Sequence, residues 1–515
     1  MESYLLGIDN GSTVIKAALF TLEGREVAVA SRPSEVLTPA PGRYERSLEE
    51  IWGATAGVLS DLLARSGIRP QEILCLALTG HGGGVHLVDA AGRALYPAME
   101  GVDSRAAGIV QKWMTDGTFA RVHPRSLVNY FPAQPAPLLA WLKEREPDVL
   151  AKARWIFALK DYVRFRLTGD AFAEITNMSG SGLLNSFEAR YDQALLEHYG
   201  LGDLAEKLPP LRRSAELCGA VTRQAARLTG LAEGTPVAAG AWDVDAAAVA
   251  TGVIGEDFLN IVAGSWANNQ IVTRTPVVSA EIFMTTVFSV PGFWLVLEGS
   301  PTSASNLEWF VRELMGAERK TCREEGTSVY GICSEEVASL PPEEPVPVFL
   351  PFLYGSNAGA GAQAAFVGMT GQHTRAHMLR AVFEGIVFSH RSHVEKLAAL
   401  RPLPKVVRIA GGAAGSPAWL QIFADTLNLP IETVDAHELG ALGSAIVAGV
   451  ACGAFPGYSE AITAMVHVSG KLEPSPRGVE ACGLRYARYR AAIEALRPFW
   501  PAQPSGERGR PGGAS

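Results

Sequence analysis

Leu5-Leu6-Gly7-Ile8-Asp9-Asn10-Gly11-Ser12-Thr13, continuing through Val14-Ile15-Lys16-Ala17-Ala18-Leu19-Phe20, sets an apolar run, a tight glycine turn and a second apolar run in immediate succession. A shorter counterpart, Leu259-Asn260-Ile261-Val262-Ala263-Gly264-Ser265-Trp266, follows about 250 residues later, and spacing on that scale suggests a duplicated phosphate-binding unit. In the first turn Gly11 lets the backbone double back, while Ser12 and Thr13 present N–H and hydroxyl donors in a row for phosphate oxygens. Asp9, at the end of its strand, is placed to hold a hydrated Mg²⁺ beside those phosphates. Asn-Gly between two apolar strands is equally a plain hairpin signal, and a hairpin tip can also be a phosphate clamp.

At 515 residues the chain is too long for one compact core, and length suggests roughly two to four domains. Hydrophobic residues at 48% and charged residues at 19% describe an ordinary globular protein. A net charge of −8 offers no global attraction for nucleic acid or an anionic membrane, so a polyanionic ligand must be gripped locally. The six cysteines form no CxxC pair, which indicates neither a zinc site nor a disulfide framework and fits reduced cytosolic thiols. No apolar stretch approaches the ~20 residues of a membrane span, and the chain reads as soluble and cytoplasmic.

Beyond the first hairpin, Leu48, Ile51, Trp52, Thr55, Val58, Leu59, Leu62 and Leu63 fall at helical spacing, and Ile73 to Leu78 form a buried strand. That strand ends in Thr79-Gly80-His81-Gly82-Gly83-Gly84, where glycines permit close approach of a ligand or simply make a turn. In the second half a helix through Met378 to Val387 precedes a strand from Lys405 to Ala410. Gly411-Gly412-Ala413-Ala414-Gly415 then leads to Ser416 as N-cap and Pro417 at the first helical position, a strand–turn–helix order that creates an anion and nucleotide site. Gly440-Ala441-Leu442-Gly443-Ser444-Ala445 reads as a closely packed helix start. Trp52 and Trp419 read as core residues, and His377, His390 and His393 lack metal-ligand spacing. The alternation of strands and helices implies an α/β architecture divided into 1–246, 247–490 and a Pro/Gly/Ser-rich, disordered C-terminal segment 491–515.

With these pieces in order, the chain resembles the FGGY family of carbohydrate kinases from about residue 4 to about residue 490. Asp9 to Lys16 match the family's first phosphate motif, and Val102-Asp103-Ser104-Arg105 match its sugar-contacting segment. Ala241-Trp242-Asp243-Val244-Asp245-Ala246 match the segment with the catalytic aspartate, Gly264-Ser265 the second phosphate motif, and Gly411 to Trp419 the adenosine motif. The resemblance implies two actin-like, ribonuclease-H-type domains with an interdomain catalytic cleft, sugar held mainly by the first and ATP mainly by the second. Gly80-His81-Gly82-Gly83-Gly84 departs from the Gly-Gln-Met-His-Gly of many pentulose kinases. Tyr354-Gly355-Ser356-Asn357-Ala358-Gly359 likewise departs from the loop of D-xylulose kinases, and Gly264-Ser265-Trp266-Ala267-Asn268-Asn269-Gln270 together with Tyr354-Gly355-Ser356-Asn357 looks more like the L-xylulose (and 3-keto-L-gulonate) kinase branch.

The resemblance implies a role for each motif. Asp243 is the general base for a terminal sugar hydroxyl, with Asp245 as the alternative: on a strand the two share a face, at a helix start they point apart. Asp9 serves Mg²⁺; Gly11, Ser12, Thr13, Lys16, Gly264 and Ser265 serve the phosphates; Gly411, Gly412 and Ser416 line the nucleotide. His81, Asp103, Arg105 and Trp242 form the sugar inventory, although His81 reads equally as structural and Asp103–Arg105 as a surface ion pair. The function expected is ATP-dependent phosphorylation of a free pentulose, best fitted by L-xylulose. A polyol such as erythritol, 3-keto-L-gulonate, or a non-catalytic actin-like ATP switch or sugar sensor are the alternatives. A homodimer is compatible with the sequence.

Overall fold

The computed structural model describes residues 2–359 and 361–500. It divides into two compact units, the first made of Met1–Glu256, Val272–Val296 and Asp435–His467, the second of Asp257–Ile271, Leu297–Val434 and Val468–Ser515.

In the first unit the opening hairpin is Tyr4–Asn10 with Val14–Thr21, antiparallel from Tyr4 opposite Thr21 to Asn10 opposite Ile15. Glu26–Pro33 adds antiparallel to its outer side, while Ile73–Gly80 adds parallel to Tyr4–Asn10. Pro236–Ala238 and Ala241–Trp242 then pair parallel with Ile73–Gly80. Alternation in the hairpin decides which residues go inward: Leu6, Ile8, Ile15, Ala17 and Leu19 pack with Ile51, Val58, Leu59 and Leu62 of the helix Leu48–Ser66. The opposite side of the sheet takes the helix Leu439–Ala451 at very short range. A Cβ on Gly7 would lie 1.8 Å from the Ala441 carbonyl oxygen, so only glycine admits that helix.

The second unit repeats the arrangement. Phe258–Ala263 and Ala267–Thr273 form its hairpin, Val406–Gly411 pairs parallel with Phe258–Ala263, and Ile431–Val434 pairs parallel with Val406–Gly411. The strand Lys405–Ala410 and the helix opened by Ser416 and Pro417 are thus present, the latter as Pro417–Leu427. Trp52 and Trp419 are both buried, as expected of core residues.

The expected division at 246/247 falls inside the helix Asp243–Ala250, whose alanine run favours helix, and the opening segment of the first unit runs on to Glu256. Asp435–His467 belongs to the first unit, a long-range assignment made by the small residues that face Gly7 and Ala246. Residues 491–496 complete the helix Pro476–Leu496, and a 3₁₀ turn, Arg497–Phe499, follows it. The rest of the segment expected to be disordered, 501–515, lies outside the described residues. Among the described residues no helix is long and apolar enough to cross a membrane.

Candidate active site

Parallel pairing brings three strand ends of the first unit together, since Asn10 is opposite Gly80 and Gly80 is opposite Trp242. The Gly11 turn, His81 and Asp243 therefore leave neighbouring strands at the same edge of the sheet, where glycine-bearing loops expose functional groups. Asp243 is the first residue of the helix Asp243–Ala250 with Trp242 as its cap residue, and its carboxylate accepts the Val244 N–H at 2.8 Å. It remains half-buried, with a face open to a ligand. Burial raises its pKa to about 6, opposed by the nearby His81 and by the Val244 N–H. Asp9, also half-buried, is raised to about 7, by burial first and then by the like charge of Asp243, with Lys16 opposing.

Asp245 is fully buried and accepts the backbone N–H of Ser289 at 2.9 Å. Burial, reinforced by Glu174 and Asp243, pushes its pKa well above the usual carboxylate value. The helix start thus separates the two aspartates: Asp243 faces the opening and Asp245 the interior.

The Trp242 indole lies in a slot between two glycines; a Cβ would come within 2.5 Å of the ring at Gly82 and within 2.7 Å at Gly180. His81 has Nε2 3.2 Å from Glu100 Oε2, while Nδ1 is buried without a partner and faces the Gly101 backbone. Glu100, wholly buried, also receives Arg46 Nε at 2.6 Å. Burial alone would raise the Glu100 pKa, but His81 and Arg46 together bring it down to about 2. Arg46 donates further to Ser34 Oγ at 2.7 Å and to the Gly11 carbonyl at 3.4 Å, tying the phosphate turn to the histidine's partner. With Nδ1 buried and Nε2 beside Glu100, the influence of His81 on Asp243 and Asp9 in this conformation is electrostatic.

Asp103 and Arg105 are a buried pair, at 0% and 2% side-chain exposure, and not a surface one. Asp103 accepts the Tyr44 and Arg105 backbone N–H groups and two guanidinium bonds; Arg105 also reaches Glu45 at 2.7 Å and Tyr96 at 3.4 Å. These groups are committed to each other and to their neighbours in this conformation. Lys16 pairs with Glu438 at 2.8 Å and is part-exposed; Ser12 is half-buried and Thr13 exposed on the turn.

Glu100, Arg46 and Glu438 were not read from the sequence. Each is an ordinary charged residue until the fold brings its partner from 54 or 422 positions away. Gly440 was read as packing only, yet a Cβ there would stand 2.5 Å from Asp9 Oδ2.

In the second unit Ala263 is opposite Gly411, so the Gly264-Ser265 turn and the Gly411-Gly412 turn emerge side by side. Gly411 has φ 87° and a Cβ would meet the Ala263 carbonyl at 2.7 Å, which requires glycine. Gly264, Ser265, Gly412 and Ser416 line a cavity of about 730 Å³ whose walls include Tyr330, Tyr354, Phe383 and Trp419, a size and aromatic content suited to a nucleoside. Ser416 caps its helix by accepting the Trp419 N–H at 3.3 Å and bonds Ser334 Oγ at 2.8 Å. The aromatic wall, absent from the sequence-based site, comes from residues scattered over 330–419.

Residues 4–250 match the FGGY family of carbohydrate kinases, N-terminal domain, and residues 259–452 match its C-terminal domain. The chain is 36% identical over 500 residues to the L-xylulose/3-keto-L-gulonate kinase of Escherichia coli (strain K12), covering 97% of this chain and 98% of that one. It is likewise 36% identical over 501 residues to a probable L-xylulose kinase of Pasteurella multocida (strain Pm70), covering 96% and 99%. The crystal structure of xylulose kinase from Rhodospirillum rubrum superposes with a TM-score of 0.84 at 26% identity, over 96% of this chain and 99% of that one. Duplicated sheets, paired glycine turns and these matches agree: the chain belongs to the FGGY family of carbohydrate kinases and is a phosphotransferase with an alcohol acceptor.

Proposed function

We propose that the protein phosphorylates a terminal hydroxyl of a free pentulose, L-xylulose foremost, using ATP and Mg²⁺ in carbohydrate breakdown. The observation that carries this reading is Asp243, a half-buried carboxylate at a helix start, flanked by the slotted Trp242 and electrostatically coupled to Asp9 and His81. Its pKa of about 6 suits a base that takes a proton as the attacking oxygen bonds to phosphorus. The full-length similarity to L-xylulose kinases supports the choice of sugar.

Trp242 supplies an apolar face for the sugar chain, with His81, Asp103 and Arg105 as the polar sugar-side residues of the first unit. Asp9, a hard oxygen donor whose charge is crowded by Asp243, fits the needs of a hydrated Mg²⁺, which when bound neutralises phosphate charge. Ser12, Thr13 and Lys16 face the phosphates from the first turn, and Gly264 and Ser265 offer backbone donors from the second. Gly412 and Ser416 line the nucleoside, with Gly411 shaping the turn just before them and Tyr330, Tyr354 and Trp419 forming the apolar walls.

The test is sugar-dependent ADP release from MgATP over L-xylulose, D-xylulose, L- and D-ribulose, 3-keto-L-gulonate, erythritol and glycerol, beside Asp243→Ala. A strong response to L-xylulose that is lost in the variant is expected. ATP hydrolysis indifferent to every sugar would instead favour a nucleotide switch, and a stronger response to 3-keto-L-gulonate would move the substrate to the sugar acids.

A further inference from the structure

Beneath the nucleotide cavity of the second unit runs a buried chain of polar side chains that the chemistry proposed above does not use. Asn357 Nδ2 donates to Ser389 Oγ at 3.1 Å and to Ser392 Oγ at 2.7 Å. Ser389 Oγ is 2.6 Å from Thr302 Oγ1, which is 2.7 Å from Ser300 Oγ, which is 2.7 Å from His393 Nε2. His393 Nδ1 ends the chain on the Glu298 carboxylate at 2.7 Å. A second branch joins Ser303 Oγ to His390 Nε2 at 3.2 Å and His390 Nδ1 to Asn269 Oδ1 at 2.9 Å. Ser300, Thr302, Ser303, Ser389, His390, His393, Asn269 and Glu298 are all buried.

The donors and acceptors run in one direction. Glu298 and Asn269 accept, so both rings carry their proton on Nδ1 and accept at Nε2, and the hydroxyls must donate toward them in turn. Burial holds His390 neutral, with its pKa near 3, in keeping with that tautomer. Replacing buried polar groups by apolar side chains of similar volume is often neutral or stabilising, so fixing a geometry is the role considered for this chain. The geometry fixed is that of the turn 301–305. Ala304 N–H donates to the Gly264 carbonyl at 2.9 Å and Ser305 Oγ to the Ser265 carbonyl at 3.2 Å, hanging the second phosphate turn on it. The far end, Asn357, anchors the loop that carries Tyr354 to the cavity wall, and Gly355 packs directly against Pro301.

We propose that the chain from Asn357 through Ser389, Thr302 and Ser300 to His393 and Glu298 is the positioning device of the nucleotide site. It sets the Gly264-Ser265 turn and the Tyr354 wall together, and Thr302 is its central positioning residue. The inference rests on the nucleotide reading of this cavity.

The experiment is calorimetric titration of MgADP and of L-xylulose into the full chain and into Thr302→Val, Thr302→Ser and Asn357→Ala, with a melting curve for each. Valine keeps the shape of threonine but leaves Ser300 and Ser389 without their shared hydroxyl, and a lost buried hydrogen bond is expected to weaken MgADP binding about tenfold or more. Thr302→Ser should stay within about threefold of the parent, and sugar affinity should not move in any variant. Asn357 is half-buried on a loop, so Asn357→Ala decides the matter if Thr302→Val does not fold. Variants that melt earlier yet bind MgADP like the parent would reduce the chain to a structural core. A parent that binds no MgADP would overturn the nucleotide assignment itself.

Discussion

The backbone N–H of Trp242 donates to Thr176 Oγ1 at 2.9 Å, and that hydroxyl donates in turn to Glu174 Oε2 at 2.7 Å. Glu174 is fully buried and held by Lys160 at 3.2 Å and Ser214 at 2.8 Å. The peptide between Ala241 and Trp242, one before the peptide that leads into Asp243, is thus pinned to a buried ionic cluster, which steers the helix start that carries the carboxylate. Thr176→Val should cut kcat about 10- to 100-fold, in line with about 1–3 kcal/mol for a lost buried bond, with KM for MgATP little changed. Thr176→Ser should restore most of the rate. Steady-state kinetics on the two variants decide it: equal rates would free Asp243 from this anchor.

The Trp242 slot makes a sharper steric prediction. A methyl at Gly82 or Gly180 cannot coexist with the ring where it stands, at 2.5 Å and 2.7 Å, so the indole must leave its position. Gly82→Ala and Gly180→Ala should each raise the sugar KM, by about 10- to 100-fold for an overpacking cost of about 1–3 kcal/mol, and alter Trp fluorescence. An unchanged KM for L-xylulose with unchanged fluorescence would mean the slot yields elsewhere.

The sequence exposed what local chemistry dictates. The first hairpin, the Ile73 strand and the Ser416–Pro417 helix start are present because alternation, a glycine turn and capping act over a few residues. The partners of the site residues were hidden, since nothing near His81 announces Glu100 or Arg46, and nothing near Lys16 announces Glu438. Asp103 and Arg105 show a related blind spot: the motif was visible, but Tyr44, Glu45 and Tyr96, which use up its hydrogen-bonding capacity, come from elsewhere in the chain.

The Arg46–Glu100 pair carries a pH signature. Glu100 is lowered to about 2 in the fold, so its contribution is complete above the unfolded value near 4.5 and is lost as pH falls toward 2. That difference corresponds to about 3 kcal/mol of stability. Glu100→Gln should lower the melting temperature at pH 7, because Arg46 is left as a buried charge without its carboxylate, and the gap from the parent should narrow in acid. Differential scanning at pH 7 and at pH 3.5 checks this; a gap independent of pH would assign the loss to packing.

Gly440 sits where a side chain would collide with Asp9 Oδ2, at 2.5 Å. Gly440→Ala therefore should displace the carboxylate proposed for Mg²⁺ and raise the Mg²⁺ concentration needed for half-maximal rate, while the L-xylulose affinity measured without nucleotide stays constant. Titration of the rate with MgCl₂ at saturating ATP reads it directly, and an unshifted midpoint would remove Asp9 from that role.

Asp243 itself links activity to stability with opposite signs. Its pKa is raised to about 6 from 3.8, so the folded state prefers the protonated form and loses stability as pH climbs from the unfolded value through 6. Catalysis needs the ionised form, so kcat/KM should rise through pH 6 and level off above it, on the side where the site is least stable. Asp243→Asn keeps the shape and removes the charge. It should abolish phosphoryl transfer yet melt higher than the parent at pH 8, by up to about 3 kcal/mol before discounting its partial exposure, with the advantage shrinking at pH 5. A variant that is inactive and also less stable at pH 8 would mean the carboxylate is held by bonds that outweigh its burial.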